Sequence, residues 1–486
     1  MSRLSPRLCL FVAITALTFA LTTPAVDQLD ARFRMQQAGN MLGGRLSADL
    51  DPTWSNFFAR GDDGQAYTVY GLGQPLVLMP LVGIARTVGE PGSKGTRGLV
   101  ADAVVVLLYA TIVNLGLAAG CFGVFRKLRI PPRASAVGTL LLFLLTPWLI
   151  WGRSMQEEAL TGALLLGAFY GMLRWRLCRC PWWLGFAGFM SAYTANIRPN
   201  AVFIAGALFL WFLISQPTAR LKSLALFLLG SLPALALFFW WNAYRFGSPL
   251  QMGWQTGDAG WSFDPSLFLN LLILPDFGLL WFAPLLLLLP LQGRRLRLRL
   301  LGGLIAGALV LHAAMLAGFP QYVGHAVGVA WGPRYLMHGV LLAGPLIWVG
   351  WLRMRKGRLR TAGLILIAVS ALVQFSGAYF QPRLEYAQDE YRTQRGLEDM
   401  QPYGWLPRRF ANIGWWVSGD LAEKSFPNDE EYGVEILTTP DLPPLRIAAS
   451  SRLQSGGTVV VVAWSGFVLC LIVAGGATWL MVHRRE

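Results

Sequence analysis

Residues Tyr70 to Val88 read YGLGQPLVLMPLVGIARTV, and the side of the membrane given to every later segment turns on this stretch. It is apolar enough to be taken for a bilayer crossing. Taken so, it puts Arg126, Lys127, Arg129 and Arg133 outside and inverts each basic cluster that follows, although Lys and Arg of short loops stay cytoplasmic. Pro75 and Pro80 also interrupt the run. We therefore read 71–88 as a helix that skims or re-enters the membrane.

Working outward, the first apolar run, about 8–24, follows Arg3 and Arg7 and leads outside. A cleaved signal peptide shares this pattern, but retention as a first crossing suits the many spans that follow. A long outer loop, 25–98, comes next. Further apolar runs lie at 99–125, 134–151, 157–175, 182–196, 200–215, 223–243, 277–292, 300–318, 337–352, 361–380 and 457–482. Each is near the length that a hydrocarbon core of about 30 Å requires. The expectation is an all-α polytopic membrane protein of about twelve transmembrane helices with both termini cytoplasmic. It divides into a module over 1–380, a polar outer domain over 381–456 with a strand near Val434–Leu437, and a final helix and tail over 457–486.

With that threading, every Asp and Glu except Glu486 falls on or at the edge of the outer side. The clusters at 126–129, 174–176, 294–299 and 353–356 mark the inner side. Apolar residues make up 55% of the 486 positions and charged ones 14%, which excludes an ordinary soluble domain. The net charge of +15 caps membrane helices and forms no separate basic domain, so nucleic acid is not the expected partner. Five cysteines without a CxxC pair define neither a disulfide framework nor a zinc site. No Walker loop or HExxH helix occurs, and His312, His325, His338 and His483 stand isolated in the sequence.

Four outward constellations could carry chemistry. Asp27 and Asp30 follow the first crossing, with Asp30, Arg34, Ala38 and Leu42 at helical steps. Asp30 reads either as a general base at the lipid–water boundary or as a carboxylate stabilising a helix N-terminus. Asp62-Asp63-Gly64 leads to Tyr70-Gly71-Leu72-Gly73-Gln74-Pro75, a ligand-approaching loop or a plain turn. Glu157 and Glu158, after Arg153, suit the dipole of a helix start but also polar substrate or metal contact. Asn196-Ile197-Arg198-Pro199 and Trp331-Gly332-Pro333-Arg334-Tyr335 place arginines where a phosphate could be gripped, or where arginine merely snorkels. Asn242 to Pro249 ends another crossing with turn residues. A divalent metal is compatible with these acids, but no ligand set is complete.

In order and content these elements resemble the GT-C superfamily of polytopic membrane glycosyltransferases, in particular bacterial relatives of protein O-mannosyltransferases and lipid A aminoarabinose transferases. Asp30 with Ala38 matches the acid after the first helix. Asp63 through Tyr70-Gly71-Leu72-Gly73-Gln74-Pro75 and Pro80, Ile197-Arg198-Pro199, Asn242 to Pro249 and Gly332-Pro333-Arg334-Tyr335 resemble recurring elements there. Ala31 replaces the usual acidic neighbour of the first Asp, and 381–456 has no counterpart. The resemblance implies a periplasmic active site in the bacterial inner membrane and a polyprenyl-phosphate sugar donor. The acceptor would be a lipid, glycan or protein, Asp30 the base, and Asp27, Asp63, Tyr70, Glu157, Glu158, Arg198 and Arg334 the substrate contacts. Against it stand a transporter or flippase of a lipid-linked or anionic solute and a non-catalytic assembly component.

Overall fold

The structure is a computed structural model describing residues 5–23, 26, 28–49, 57–93, 95–215, 220–253, 261–291, 296–319, 331–354, 357–401, 404–427, 437–449 and 457–483. It is an all-α polytopic membrane protein: among the described residues, the only sheet is one three-residue hairpin. Among the described residues, six helices are long and apolar enough to cross a bilayer: Thr96–Lys127, Leu221–Phe246, Leu296–Ala317, Arg334–Arg353, Arg358–Tyr379 and Val461–His483. In these helices the backbone satisfies its own hydrogen bonds, the condition for a chain segment surrounded by lipid.

Several expected crossings are shorter or broken. Pro6–Leu21 (α1) has 16 residues and Pro132–Leu145 (α5) has 14. The expected span 277–292 is a four-residue helix, Leu279–Phe282, followed by a 3-10 segment, Pro284–Leu291. Pro284 and Pro290 lack the amide hydrogen that a continuous helix needs there. The decisive stretch forms a helix over Gly73–Ala85 (α3), continuous through Pro80. Its 13 residues rise about 20 Å, short of the hydrocarbon thickness.

Two compact units emerge, one of residues 1–139, 151–260 and 477–486, the other of 140–150 and 261–476. In the first, Leu29–Leu42 (α2) packs on α3, which packs on Thr96–Lys127 (α4). The helix α4 lies against α1 and Glu157–Cys178 (α7), and Pro181–Ile197 (α8) lies between α7 and Arg220–Phe246 (α10). A hairpin, Phe58–Arg60 with Ala66–Thr68, lies within the segment expected as a long loop, Phe58 opposite Thr68. Gly64 closes its turn at φ +78°, a conformation glycine adopts without strain.

In the second unit, Pro284–Leu291 packs on Met337–Arg353 and Arg358–Tyr379. The polar segment after Tyr379 is helical over Leu384–Gln394, Trp405–Ser418, Leu421–Ser425 and Pro443–Ala449. Its core is Phe380, Leu384, Tyr391, Leu421 and Phe426. Of the strand expected near Val434–Leu437, all but Leu437, which is helical, lies outside the described residues.

The α8–α10 crossing brings backbones together. A Cβ at Gly188 would sit 2.1 Å from the Phe227 carbonyl oxygen, and one at Gly230 would sit 2.1 Å from that of Gly185. Small residues at such crossings allow close packing where no hydrophobic effect separates helix from lipid. Gly188→Ala or Gly230→Ala should each cost roughly 1–3 kcal/mol by overpacking. Thermal unfolding in detergent measures this, with Gly206→Ala as the neutral comparison, since no neighbour lies within 4 Å of a Cβ there.

Candidate functional site

Helix α2 begins at Leu29 and carries Asp30 in its first turn, where a carboxylate suits the positive end of the helix dipole. One turn on, Arg34 is buried and lies 3.9 Å from Asp30. Helix α7 begins at Glu157, placing Glu157 and Glu158 in the corresponding position. Helix α8 ends at Ile197 because Pro199 follows: the residue before a proline is pushed out of the helical region. Arg198 is accordingly extended, at φ −144° and ψ 101°.

That kink turns the Arg198 side chain onto the start of α7. Its Nε donates to Glu157 Oε1 at 2.8 Å and a terminal nitrogen donates to Glu158 Oε1 at 2.8 Å. Glu157 is also ion-paired with Arg34, so it stands between two guanidiniums. The Arg34 guanidinium carbon lies 4.0 Å from the centre of the Tyr70 ring, a cation–π contact. Asp30, Arg34, Glu157, Arg198 and Glu158 thus form a continuous chain of charge. Asp30 is its accessible end, with its side chain 13% exposed, against 2% for Arg34 and 0% for Glu158.

Two glycines let the segment before α3 reach this chain. A Cβ at Gly71 would lie 2.1 Å from the Asn196 carbonyl oxygen, and one at Gly73 2.6 Å from Ile197 Cγ1. Tyr193 donates to the Gly73 carbonyl at 2.9 Å. Gln74 Nε2 donates to the Tyr109 hydroxyl at 2.9 Å and to the Met155 carbonyl at 2.5 Å. From α10, Arg245 donates to the carbonyls of Thr68 and Tyr70 at 2.6 and 3.2 Å and stacks on Trp241 and Phe246. The motifs around Asp30, Tyr70, Glu157, Arg198 and Asn242 therefore meet in the first unit.

Other predicted residues lie elsewhere. Asp63 closes the hairpin turn, accepting from the Tyr67 hydroxyl at 2.6 Å and the Gln65 amide at 2.9 Å. The Tyr67 hydrogen bond, then the amide, holds this carboxyl below its ordinary value, while burial, with Asp63, raises the Tyr67 phenol. Asp27 lies outside the described residues, as does His325. Arg334 belongs to the second unit, buried, its guanidinium 5.2 Å from the Tyr335 ring. His312 and His338, isolated in the sequence, meet in that unit with ring centres 5.6 Å apart. Two different helices, Leu296–Ala317 and Met337–Arg353, bring them together, which no local spacing reveals. Arg34 was legible only as a helical step from Asp30. The pairing of acid and base four residues apart was the available signal.

Among the described residues, no group of three or more His, Cys, Asp or Glu side chains is placed to hold a metal ion. Glu157 and Glu158 turn oxygens to guanidiniums, so the donor set as arranged does not fit a divalent cation.

No protein-family model and no curated protein matches this chain. Among solved structures, it is similar to ArnT from Cupriavidus metallidurans bound to undecaprenyl phosphate, at TM-score 0.47 and 12% identity over 98% of this chain and 77% of that one. It is also similar to the oligosaccharyltransferase of Archaeoglobus fulgidus in the apo form, at TM-score 0.47 and 11% identity over 87% of this chain and 60% of that one. The archaeal oligosaccharyltransferase AglB from Archaeoglobus fulgidus, in complex with an inhibitory peptide and a dolichol-phosphate, aligns at TM-score 0.34 and 12% identity, over 98% of this chain and 55% of that one.

Breaking one partner of a buried ion pair leaves an uncompensated charge, at a cost of roughly 3–5 kcal/mol. Arg198→Met should lose about that much stability, and combining it with Glu158→Gln should recover part. A double-mutant cycle by thermal unfolding should then show coupling of about 1 kcal/mol or more, whereas simple additivity would dissolve the pair.

Proposed function

We propose that this chain is a GT-C-type glycosyltransferase of the bacterial inner membrane, acting on its extracytoplasmic face with both termini in the cytoplasm. The donor is a sugar on polyprenyl phosphate, and the acceptor a lipid, glycan or protein hydroxyl or amine. The observation that carries this reading is the accessible end of the buried charge chain, where Asp30 lies beside Arg34 and Arg34 in turn lies over Tyr70. The ordered motifs of the sequence support it, because those around Asp30, Tyr70, Glu157 and Arg198 converge on one place.

Asp30 takes the proton from the acceptor as its oxygen or nitrogen bonds to the anomeric carbon. The bond from that carbon to the phosphate oxygen breaks on the opposite face, and the electron pair leaves with the phosphate, inverting the centre. Arg34 orients the carboxylate, and Glu157, Glu158 and Arg198 hold Arg34 in place. Arg198 is already forked between two carboxylates. Arg334, in the second unit, keeps the reading of a phosphate contact, because its guanidinium offers paired donors. Helix α3 guides the lipid tail.

Asp30→Asn keeps the shape of the side chain and removes its basicity. It should lower transfer from a polyprenyl-phosphate sugar by roughly 10²–10⁴-fold, with expression and membrane insertion unchanged. Transfer by Asp30→Asn at the wild-type rate removes Asp30 from the role. Movement of the lipid-linked sugar between vesicle leaflets with no acceptor product would point to a flippase instead. Lipid and glycan profiles of cells lacking the protein identify the sugar.

A further inference from the structure

Trp331 opens the segment that bears Arg334 and is wholly buried in the second unit. Its indole meets the Phe282 ring edge-to-face at 4.8 Å. It also presses on Gly377, where a Cβ would lie 2.2 Å from its ring. On a further side, 4.8 Å from the ring centre, lies the guanidinium of Arg409.

Arg409 comes from the helix Trp405–Ser418 and is fully buried. Its Nε and one terminal nitrogen donate to the two carboxylate oxygens of Glu385 at 2.7 and 2.5 Å. Its other N–H groups reach the carbonyls of Phe380 and Gln381 at 3.1 and 2.9 Å. Longer contacts at 3.4 and 3.3 Å reach Ser376 and Gly377, in the last turn of Arg358–Tyr379, where carbonyls lack partners within the helix. Asn412 donates to Glu385 at 2.9 Å, and Gln388 joins Asn412 to Ser425. Buried networks satisfied to this degree are rigid.

From Trp331 to Arg334 the chain has little slack. Gly332 sits at φ +68°, and a Cβ there would meet Phe282 at 2.7 Å. Pro333 follows with its ring-fixed φ of −75°. We propose that Arg409 and Glu385 are positioning residues: by clamping Trp331 they fix the turn that presents Arg334, so the helical segment after Tyr379 braces a phosphate-binding arginine. The clamp follows from the packing alone, and its effect on ligand binding rests on the reading of Arg334 above.

The test uses the full chain in detergent, as wild type, Arg409→Met, Arg409→Lys and Glu385→Gln. Hydrogen–deuterium exchange over 331–337 reports the clamp, and binding of undecaprenyl phosphate reports its consequence. Arg409→Met and Glu385→Gln should speed exchange over 331–337 roughly tenfold or more while peptides of α4 and α8 keep wild-type rates. Arg409→Lys, which keeps the cation but not the fork, should fall between. The dissociation constant for undecaprenyl phosphate should rise roughly tenfold, as in Arg334→Ala. Exchange that quickens only within 384–426, with 331–337 at the wild-type rate, overturns the clamp. Faster exchange over 331–337, with Arg334→Ala binding as tightly as wild type, upholds the clamp and removes the phosphate role from Arg334.

Discussion

Five ionisable side chains with little access to water must share their charges or the first unit does not hold. Glu157 is the hinge of this arrangement, since Arg34 from α2 and Arg198 from the end of α8 both close on it. Isolated charges so placed would cost several kcal/mol each, so burial is tolerated only because carboxylates and guanidiniums alternate. That demand fixes three elements against one another: α2, the start of α7 and the proline kink after α8. Asp30 inherits its position from the chain of pairs behind it.

The backbone geometry serves the same end. Gly71 and Gly73 press on the end of α8 because they carry no Cβ, and this seats Tyr70 over Arg34. Arg245 then grips the carbonyls on either side of Val69. The loop is thereby held from α8 and α10, both packed in the same unit.

Much of this was legible in the sequence, and what was not has physical reasons. Long apolar runs announce helices because the length of a crossing is set by the bilayer. Prolines at 199 and 75 announce breaks or starts because of their fixed φ and missing donor. The 277–292 run shows the limit: composition marked it as apolar, but Pro284 and Pro290 turned it into a four-residue helix and a 3-10 segment. Which charges pair is a tertiary matter. Arg198 was read as a cation facing a phosphate, yet its nearest anions are carboxylates from a helix some forty residues earlier. The meeting of His312 with His338 and the Arg409–Glu385 pair were invisible for the same reason.

The central claim is that a buried alternation of charge presents Asp30, as its accessible end, to the outer side of the membrane. Labelling of Asp30→Cys in intact cells, in a chain whose five native cysteines are replaced by serine, tests it most directly. A membrane-impermeant thiol reagent should modify position 30 from outside the cytoplasmic membrane. Modification only after the cytoplasmic face is exposed would contradict the account.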